Sequence, residues 1–145
     1  MNKPKKFTKF LKEKCREFNL RITPQRIAIY EALKDDLTHP SADDIYKKVK
    51  IKFLNISFDT VNRTLLSYAD IGIIKIAESY NRQKRFDPDT ENHHHLNCIK
   101  CGRIIDFENK DFDELKIPKS INNKYKVLGK RVVLEHICDK CKRKK

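Results

Sequence analysis

The sequence lacks any apolar run approaching the length of a transmembrane helix, which needs about 20 consecutive apolar residues. Its N-terminal stretch, MNKPKKFTKFLKEK, lacks the continuous apolar core of a signal peptide. These absences predict a cytoplasmic protein with no membrane partner. In that reducing compartment, cysteines are more often metal ligands than disulfides.

Acidic residues are also scarce relative to basic ones. The chain has 33 Lys and Arg against 20 Asp and Glu, a formal net charge of +13. This excess predicts a polyanionic partner such as a nucleic acid. At 145 residues, the chain can form one domain or two small ones.

The first half of the chain carries helix signals. A first helix is predicted from about residue 5 to residue 18, with apolar residues at three- and four-residue intervals: Phe7, Phe10, Leu11, Cys15 and Phe18. Thr23 before Pro24 predicts the start of a second helix, and Ser41 with Asp44 resembles a capping box that starts a third. The inward positions of these two helices are Ile27, Tyr30, Leu33, Ala42, Ile45, Tyr46, Val49 and Phe53.

A fourth helix is predicted from FDTVNRTLLSYADIG, ending at Gly72. With the third helix it makes a helix-turn-helix, and IIKIAES and QKRFD, joined by a turn at Tyr80-Asn81, make a two-stranded wing. This arrangement commonly places one helix in the major groove of double-stranded DNA. The polar side chains near the N-terminal end and on the outer face of the fourth helix are Ser57, Asp59, Thr60, Asn62, Arg63 and Ser67, and all of these except Ser67 are predicted to contact DNA. The alternative is an ordinary exposed helix in a helical bundle.

Two C-x-x-C pairs lie in the second half, Cys98 with Cys101 and Cys138 with Cys141. Four thiolates at this spacing suit a closed, tetrahedral structural Zn²⁺ site. The alternative is two redox or incidental pairs. Cys15 falls at an apolar helical position and is predicted to be a buried hydrophobic residue.

Imidazoles and carboxylates lie beside the first thiol pair. If residues 93–98 form a strand, His93 and His95 share one face and His94 points to the other. The two imidazoles of His93 and His95, together with the carboxylates of Asp87 and Asp106, make an N/O donor set suited to Fe²⁺, Mn²⁺ or Zn²⁺. The alternative is a solvated histidine run on a polar strand.

The predicted class is α+β: a winged helix-turn-helix domain over residues 1–86, a hinge over 87–92 containing Pro88, and a small α/β dimerisation domain with a Cys₄ zinc site over 93–145. In the last part, GRIIDF is predicted as a strand, residues 111–116 as at most a short helix, and INNKYKVLGKRVVLEHIC as mostly strand. The basic tail KCKRKK is expected to fray. Strand edges here would favour dimerisation.

The motifs together resemble the ferric uptake regulator family over nearly the whole chain. The similar stretches are LRITPQRIAIYEAL, HPSADDIY, SFDTVNRTL, HHHLNCIKCGRIIDF and HICDKC. This resemblance implies a homodimeric, metal-dependent transcriptional repressor that is not an enzyme. Its winged domain would bind palindromic DNA and its C-terminal domain would dimerise.

The resemblance also implies a regulatory metal, Fe²⁺ or Mn²⁺, held by residues from both domains. It adds His39, from HPSADDIY, to Asp87, His93, His95 and Asp106. Peroxide-responsive members resemble this chain in having aspartate at both carboxylate positions, where other members often have glutamate. In that branch Fe²⁺ reacts with hydrogen peroxide and oxidises a ligand histidine, here His39 or His93. A reversible regulator responding to iron, zinc, nickel or manganese is the alternative within the family.

Some positions depart from the family pattern. Asn62 stands where a tyrosine is usual, so base contacts there are expected to differ. An auxiliary metal site common in iron-sensing members is predicted to be absent because Lys130 stands at a histidine position, although His94 and Asp113 lie near its other positions. His136 has no assigned role and is predicted to be structural or exposed.

Two other functional classes account for only part of the sequence. A His₃Asp₂ metal could activate water in an enzyme, but the sequence has no dedicated nucleophile or base motif. A zinc-ribbon RNA-binding protein would explain the charge and the thiols but leaves the His/Asp cluster unexplained.

Overall fold

The structure, a computed structural model, describes residues 3–77, 79 and 83–143, with side chains from Lys9 onward. The chain forms two compact units, Met1–Thr90 and Glu91–Lys145. The side chain of Phe7, the turn at Tyr80-Asn81 and the last two residues of the basic tail, all invoked above, lie outside the described residues. None of the helices in the described part has the length and apolar character needed to cross a bilayer.

The N-terminal unit is a four-helix arrangement followed by a hairpin. Its elements are α1 (Lys3–Glu17), α2 (Pro24–Leu33), α3 (Ala42–Lys50), α4 (Phe58–Asp70), β1 (Lys75–Ala77) and β2 (Arg85–Asp87). The winged helix-turn-helix prediction is therefore confirmed. The QKRFD wing strand is shorter than predicted and contains only its last three residues.

The helices begin at the signals visible in the sequence. The Thr23 hydroxyl accepts the backbone N–H of Arg26 and caps α2. The Ser41 hydroxyl accepts the N–H of Asp44, whose carboxylate accepts the N–H of Ser41, so the capping box of α3 is complete. Donation from Ser41 holds the pKa of the Asp44 carboxyl below its ordinary value. These local bonds explain why the helix starts could be predicted.

The apolar faces of these helices close one core. Its buried side chains are Leu11, Cys15, Ile29, Tyr30, Leu33, Ala42, Ile45, Val49, Ile56, Val61, Leu65, Tyr68, Ile73, Ile74 and Phe86. Cys15 is buried as predicted, and burial raises the pKa of its thiol. The hydroxyl of the fully buried Tyr68 donates to the Arg26 carbonyl (2.6 Å), which fixes α4 against α2.

The wing is a short antiparallel hairpin with Ile76 opposite Phe86. A third segment joins its β2 edge: Ser41 forms an isolated antiparallel bridge with Arg85, and the Phe86 N–H donates to the Pro40 carbonyl (2.9 Å). The loop before α3 is therefore tied to the wing by backbone hydrogen bonds.

The C-terminal unit is a small α/β unit around a three-stranded sheet. Its elements are β3 (His94–Cys98), β4 (Ile104–Phe107), α5 (Lys110–Asp113), α6 (Lys119–Asn122), β5 (Val133–His136) and α7 (Asp139–Arg143). The strand order is β4-β3-β5, with β3 antiparallel to β4 and parallel to β5. The α+β class is confirmed.

Part of the C-terminal prediction was wrong. INNKYKVLGKRVVLEHIC is mostly not strand, because β5 covers only Val133–His136 and α6 occupies its start. Pro118, with φ −55°, precedes α6 and suits a helix start. The apolar residues that follow, Tyr125 and Leu128, are exposed and give this segment no buried face within the chain. The tail, expected to fray, forms α7 through Arg143.

Candidate metal centres and nucleic-acid interface

The sheet of the C-terminal unit gathers the four predicted zinc thiols. Parallel pairing sets Cys98, at the end of β3, opposite His136 of β5, and this places Cys138 nearby. The four sulfur atoms, those of Cys98, Cys101, Cys138 and Cys141, lie within 4.8 Å of one another, and all are free thiols. Tetrahedral Zn–S bonds of about 2.3 Å imply sulfur separations of about 3.8 Å. Cys101 Sγ and Cys138 Sγ are 3.7 Å apart, so the cluster suits a structural zinc ion.

The local electrostatics also favour a cation between the thiols. The backbone N–H of Cys101, followed by that of Cys138, lowers the pKa of Cys98 to about 5. The neighbouring Cys138 and Cys101 side chains instead raise the pKa of Cys141 to about 12. Four thiols this close cannot all ionise without a compensating positive charge. Zn²⁺ supplies that charge, so the donor set fits the metal.

The N-terminal unit brings together two of the predicted regulatory ligands. His39 Nε2 lies 3.5 Å from Asp87 Oδ2, and both side chains are buried. The other carboxylate oxygen of Asp87 accepts the backbone N–H of Asp89 (2.9 Å), which fixes the carboxylate orientation. A buried imidazole and an oriented carboxylate form a pair suited to a divalent cation.

The backbone of His39 is in the left-handed region, with φ 56°. This conformation costs a non-glycine residue roughly 1–2 kcal/mol. Pro40 disfavours the right-handed helical alternative for the residue before it. Arg85 donates from Nε to the His39 carbonyl and from Nη2 to the Thr38 carbonyl (3.1 Å). The unusual backbone is thus held by a side chain distant in sequence.

The C-terminal unit brings together the other three predicted ligands. In the β3–β4 register His95 lies opposite Asp106. Asp106 Oδ1 is 3.3 Å from His93 Nε2 and 3.1 Å from His95 Nε2, and the two imidazole nitrogens are themselves 3.1 Å apart. His93 Nδ1 is 2.7 Å from the Glu91 carbonyl and must carry the hydrogen, because a carbonyl only accepts. In the neutral ring, Nε2 therefore has the lone pair that a metal ion requires.

His94 faces the opposite side, as the period of two predicted. Its Nδ1 accepts the backbone N–H of Val132 (3.0 Å), so the hydrogen of the neutral ring is on Nε2, 2.7 Å from Asp113 Oδ1. The rings of Phe107 and Phe112 pack beside it. Both ring nitrogens therefore already have protein partners. His136 is partly buried in β5, and its Nδ1 has no hydrogen-bond partner in the described part of the chain.

The predicted DNA-contacting residues lie at the start and on the outer face of α4. The Ser57 hydroxyl accepts the backbone N–H of Thr60 (3.1 Å) and caps the helix. The exposed side chains of Arg63 and Asp59 form an ion pair (2.9 Å). Asn62 is half-buried. Arg63 is largely exposed and available to a phosphate or a base.

Sequence reasoning missed a second element of this surface. The residues at the start of α2 line a cleft of about 410 Å³ with those of α4; the lining is Arg21, Thr23, Gln25, Arg26, Asp59, Thr60, Arg63, Thr64 and Ser67. Three arginines and several hydroxyls suit a phosphate backbone. The ITPQR run was available as a signal, but its position beside α4 depends on tertiary packing.

Comparison with known proteins agrees with this architecture. The profile of the ferric uptake regulator family matches residues 17–135. A peroxide-responsive repressor of Staphylococcus epidermidis is 39% identical over 127 residues, covering 88% of this chain and 85% of that protein. The peroxide operon regulator of Bacillus subtilis is 37% identical over 132 residues, 91% of each chain. The ferric uptake regulator of Helicobacter pylori has a similar fold, with a TM-score of 0.77 at 21% identity over 96% of this chain and 93% of its own. The chain therefore belongs to the ferric uptake regulator family.

Proposed function

We propose that this chain is a metal-dependent transcriptional repressor that senses hydrogen peroxide. The observation that carries the proposal is the donor chemistry of the two units: a buried His39–Asp87 pair in one, and His93, His95 and Asp106 in the other. Both carboxylates are aspartates. The relatives from Staphylococcus epidermidis and Bacillus subtilis, which are 39% and 37% identical to this chain, are both named for peroxide.

The two sets together are proposed to form one regulatory His₃Asp₂ site for Fe²⁺ or Mn²⁺. Neither unit alone offers more than three of these donors, whereas such ions commonly take five or six ligands. A metal bound by both sets would link the units and favour one arrangement of the chain over others. The arrangement favoured by the metal is proposed to be the one that binds DNA. The metal would shift the equilibrium toward this arrangement only by as much as it binds this arrangement more tightly than the others.

Bound Fe²⁺ would supply the redox chemistry that activates hydrogen peroxide beside the ligand imidazoles, and the two electrons that the peroxide takes up overall would come from a histidine ring. In the overall reaction, a ring C–H of His39 or His93 is oxidised by two electrons and gains one oxygen atom, and the other peroxide oxygen leaves as water. The chain's own part is to hold each ring. Glu91 fixes the tautomer of His93, and the left-handed backbone of His39 sets its ring beside Asp87. An oxidised ring would be a poorer ligand, so the repressor would release its operator.

The remaining roles follow from the described surfaces. Cys98, Cys101, Cys138 and Cys141 are proposed to hold structural zinc in the region 93–145, which is proposed to form the homodimer. Residues 1–86 would bind a palindromic operator in double-stranded DNA, with Ser57, Asp59, Thr60, Asn62 and Arg63 at the interface and residues 87–92 as the hinge. Because an oxidation event would use up the site rather than turn it over, the chain is proposed to be a regulator and not an enzyme. It is also proposed to act in the cytoplasm.

The test is peptide mass spectrometry of protein loaded anaerobically with Fe²⁺ and given a small dose of hydrogen peroxide. A Mn²⁺-loaded sample serves as the control, because Mn²⁺ occupies the same donors without this redox chemistry. We expect addition of one oxygen atom at His39 or His93 in the iron sample alone. If iron is bound and both histidines stay unmodified, the chain is a reversible metal-responsive regulator instead.

A further inference from the structure

We infer that Arg85 is a positioning residue for the regulatory ligand His39, and that the wing strand β2 thereby sets both ligands of the N-terminal unit. The inference rests on the proposed function, since it assigns a role toward the proposed metal site. Arg85 itself is not a ligand, because a guanidinium is cationic and has no lone pair to offer.

The first observation is the pair of hydrogen bonds from one guanidinium to two successive carbonyls. Arg85 donates to the His39 carbonyl through Nε and to the Thr38 carbonyl through Nη2 at 3.1 Å. The planar fork of arginine suits two acceptors at once, whereas lysine offers a single point charge. Successive carbonyls can converge on one cation only if the backbone between them is turned. Here that turn is the left-handed conformation of His39, with φ 56°.

The second observation is the backbone pairing that surrounds this contact. Ser41 bridges Arg85, and the Phe86 N–H donates to the Pro40 carbonyl at 2.9 Å. The segment bearing His39 therefore lies along β2, the strand that also carries Asp87. This alignment places His39 Nε2 3.5 Å from Asp87 Oδ2.

Loss of the fork removes the side-chain hydrogen bonds to the His39 and Thr38 carbonyls while the strand pairing remains. The imidazole would then sample positions away from Asp87, and metal affinity would fall. Residues that orient a ligand in this way typically contribute about 10- to 100-fold in metal affinity. The effect should be confined to His39, because His93 is oriented independently by Glu91.

The experiment compares wild type with Arg85→Gln, Arg85→Lys and Lys84→Gln. Lys84→Gln is the matched control: it removes one positive charge from the adjacent, exposed position and leaves the fork intact. Zinc content and thermal unfolding establish that each variant is folded. Two quantities are then measured: Mn²⁺ affinity against a competing chelator, and the ratio of oxygen addition at His39 to that at His93 after Fe²⁺ and peroxide.

We expect Arg85→Gln to lose about 10- to 100-fold in Mn²⁺ affinity and to shift oxidation from His39 toward His93, with Arg85→Lys intermediate and Lys84→Gln unchanged. A purely structural role would lower the unfolding temperature without altering the oxidation ratio at matched iron occupancy, and that result overturns the inference. Should Arg85→Gln not fold, Arg85→Lys decides by the same two readouts. If wild type binds Mn²⁺ but neither histidine oxidises, peroxide sensing fails while the affinities still decide the role of Arg85. If wild type binds no Mn²⁺, both fail.

Discussion

Replacing Cys98 with serine should unfold the C-terminal unit while leaving the N-terminal unit folded. Among the described residues of the C-terminal unit, the buried hydrophobic side chains are Cys98, Ile104 and Cys138, and two of these three are thiols of the zinc cluster. The described part of the N-terminal unit instead buries fifteen side chains in one cluster. The smaller unit therefore has little apolar burial to stabilise it without the metal.

The magnitudes indicate how large the loss should be. Full burial of one aliphatic side chain such as Ile104 contributes about 1.5–3 kcal/mol. Structural zinc contributes on the order of 10 kcal/mol of folding free energy in small metal-stabilised domains. Serine preserves the size of Cys98 but is not a zinc ligand of comparable strength, so the larger contribution is lost.

Hydrogen exchange resolved by peptide, together with zinc content, measures this outcome. We expect β3, β4 and β5 of Cys98→Ser to exchange like unfolded chain, while the peptides of α2, α3 and α4 keep their protection. Cys15→Ala is the matched control: it removes a thiol outside the zinc cluster and should cost about 1 kcal/mol in the N-terminal unit alone. A zinc-free Cys98→Ser protein with fully protected strands would refute the reasoning.

Three further substitutions test individual contacts. Tyr68→Phe removes the bond to the Arg26 carbonyl and should lower the free energy of unfolding by about 1 kcal/mol, measured by urea denaturation. Asp44→Asn should lower the free energy of unfolding at pH 7 but not at strongly acidic pH. The Ser41 N–H lowers the pKa of the Asp44 carboxyl in the folded protein. The carboxylate therefore stabilises the fold above its ordinary pKa of 3.8, and this stabilisation is lost as the pH falls through the pKa of the folded state. His94→Gln should leave the number of tightly bound divalent ions per chain unchanged in elemental analysis, because both ring nitrogens already have protein partners; loss of an ion would show that His94 is a ligand.

The features predicted correctly from the sequence are those determined within a few residues. Thr23 and Ser41 cap helices through bonds to residues three positions away, and the period of two correctly separated His94 from His95. The thiol cluster was predictable because each C-x-x-C pair is a local unit and only the pairing of the two depends on the fold.

The features that were missed depend on distant contacts. The contact between Arg85 and the His39 carbonyl joins residues 46 positions apart. Pro40 disfavours a right-handed helical backbone at His39, but this local signal does not by itself select the left-handed one. The strand prediction after residue 120 failed for a related reason. Tyr125 and Leu128 lie within the predicted strand, but both side chains are exposed, so the burial that normally stabilises one face of a strand is absent there within this chain.

The unequal cores of the two units also constrain how a metal signal can reach DNA. Val61, Leu65 and Tyr68 are fully buried and fix α4, the helix proposed to contact DNA, within the larger core, so this helix has no ready way to refold in response to a ligand. Metal should therefore change DNA affinity while the internal packing of α4 stays the same. Hydrogen exchange of the α4 peptides with and without Mn²⁺ tests this directly. Equal protection in both states, alongside metal-dependent operator binding, is expected; metal-dependent protection of α4 would mean that the helix itself is the switched element.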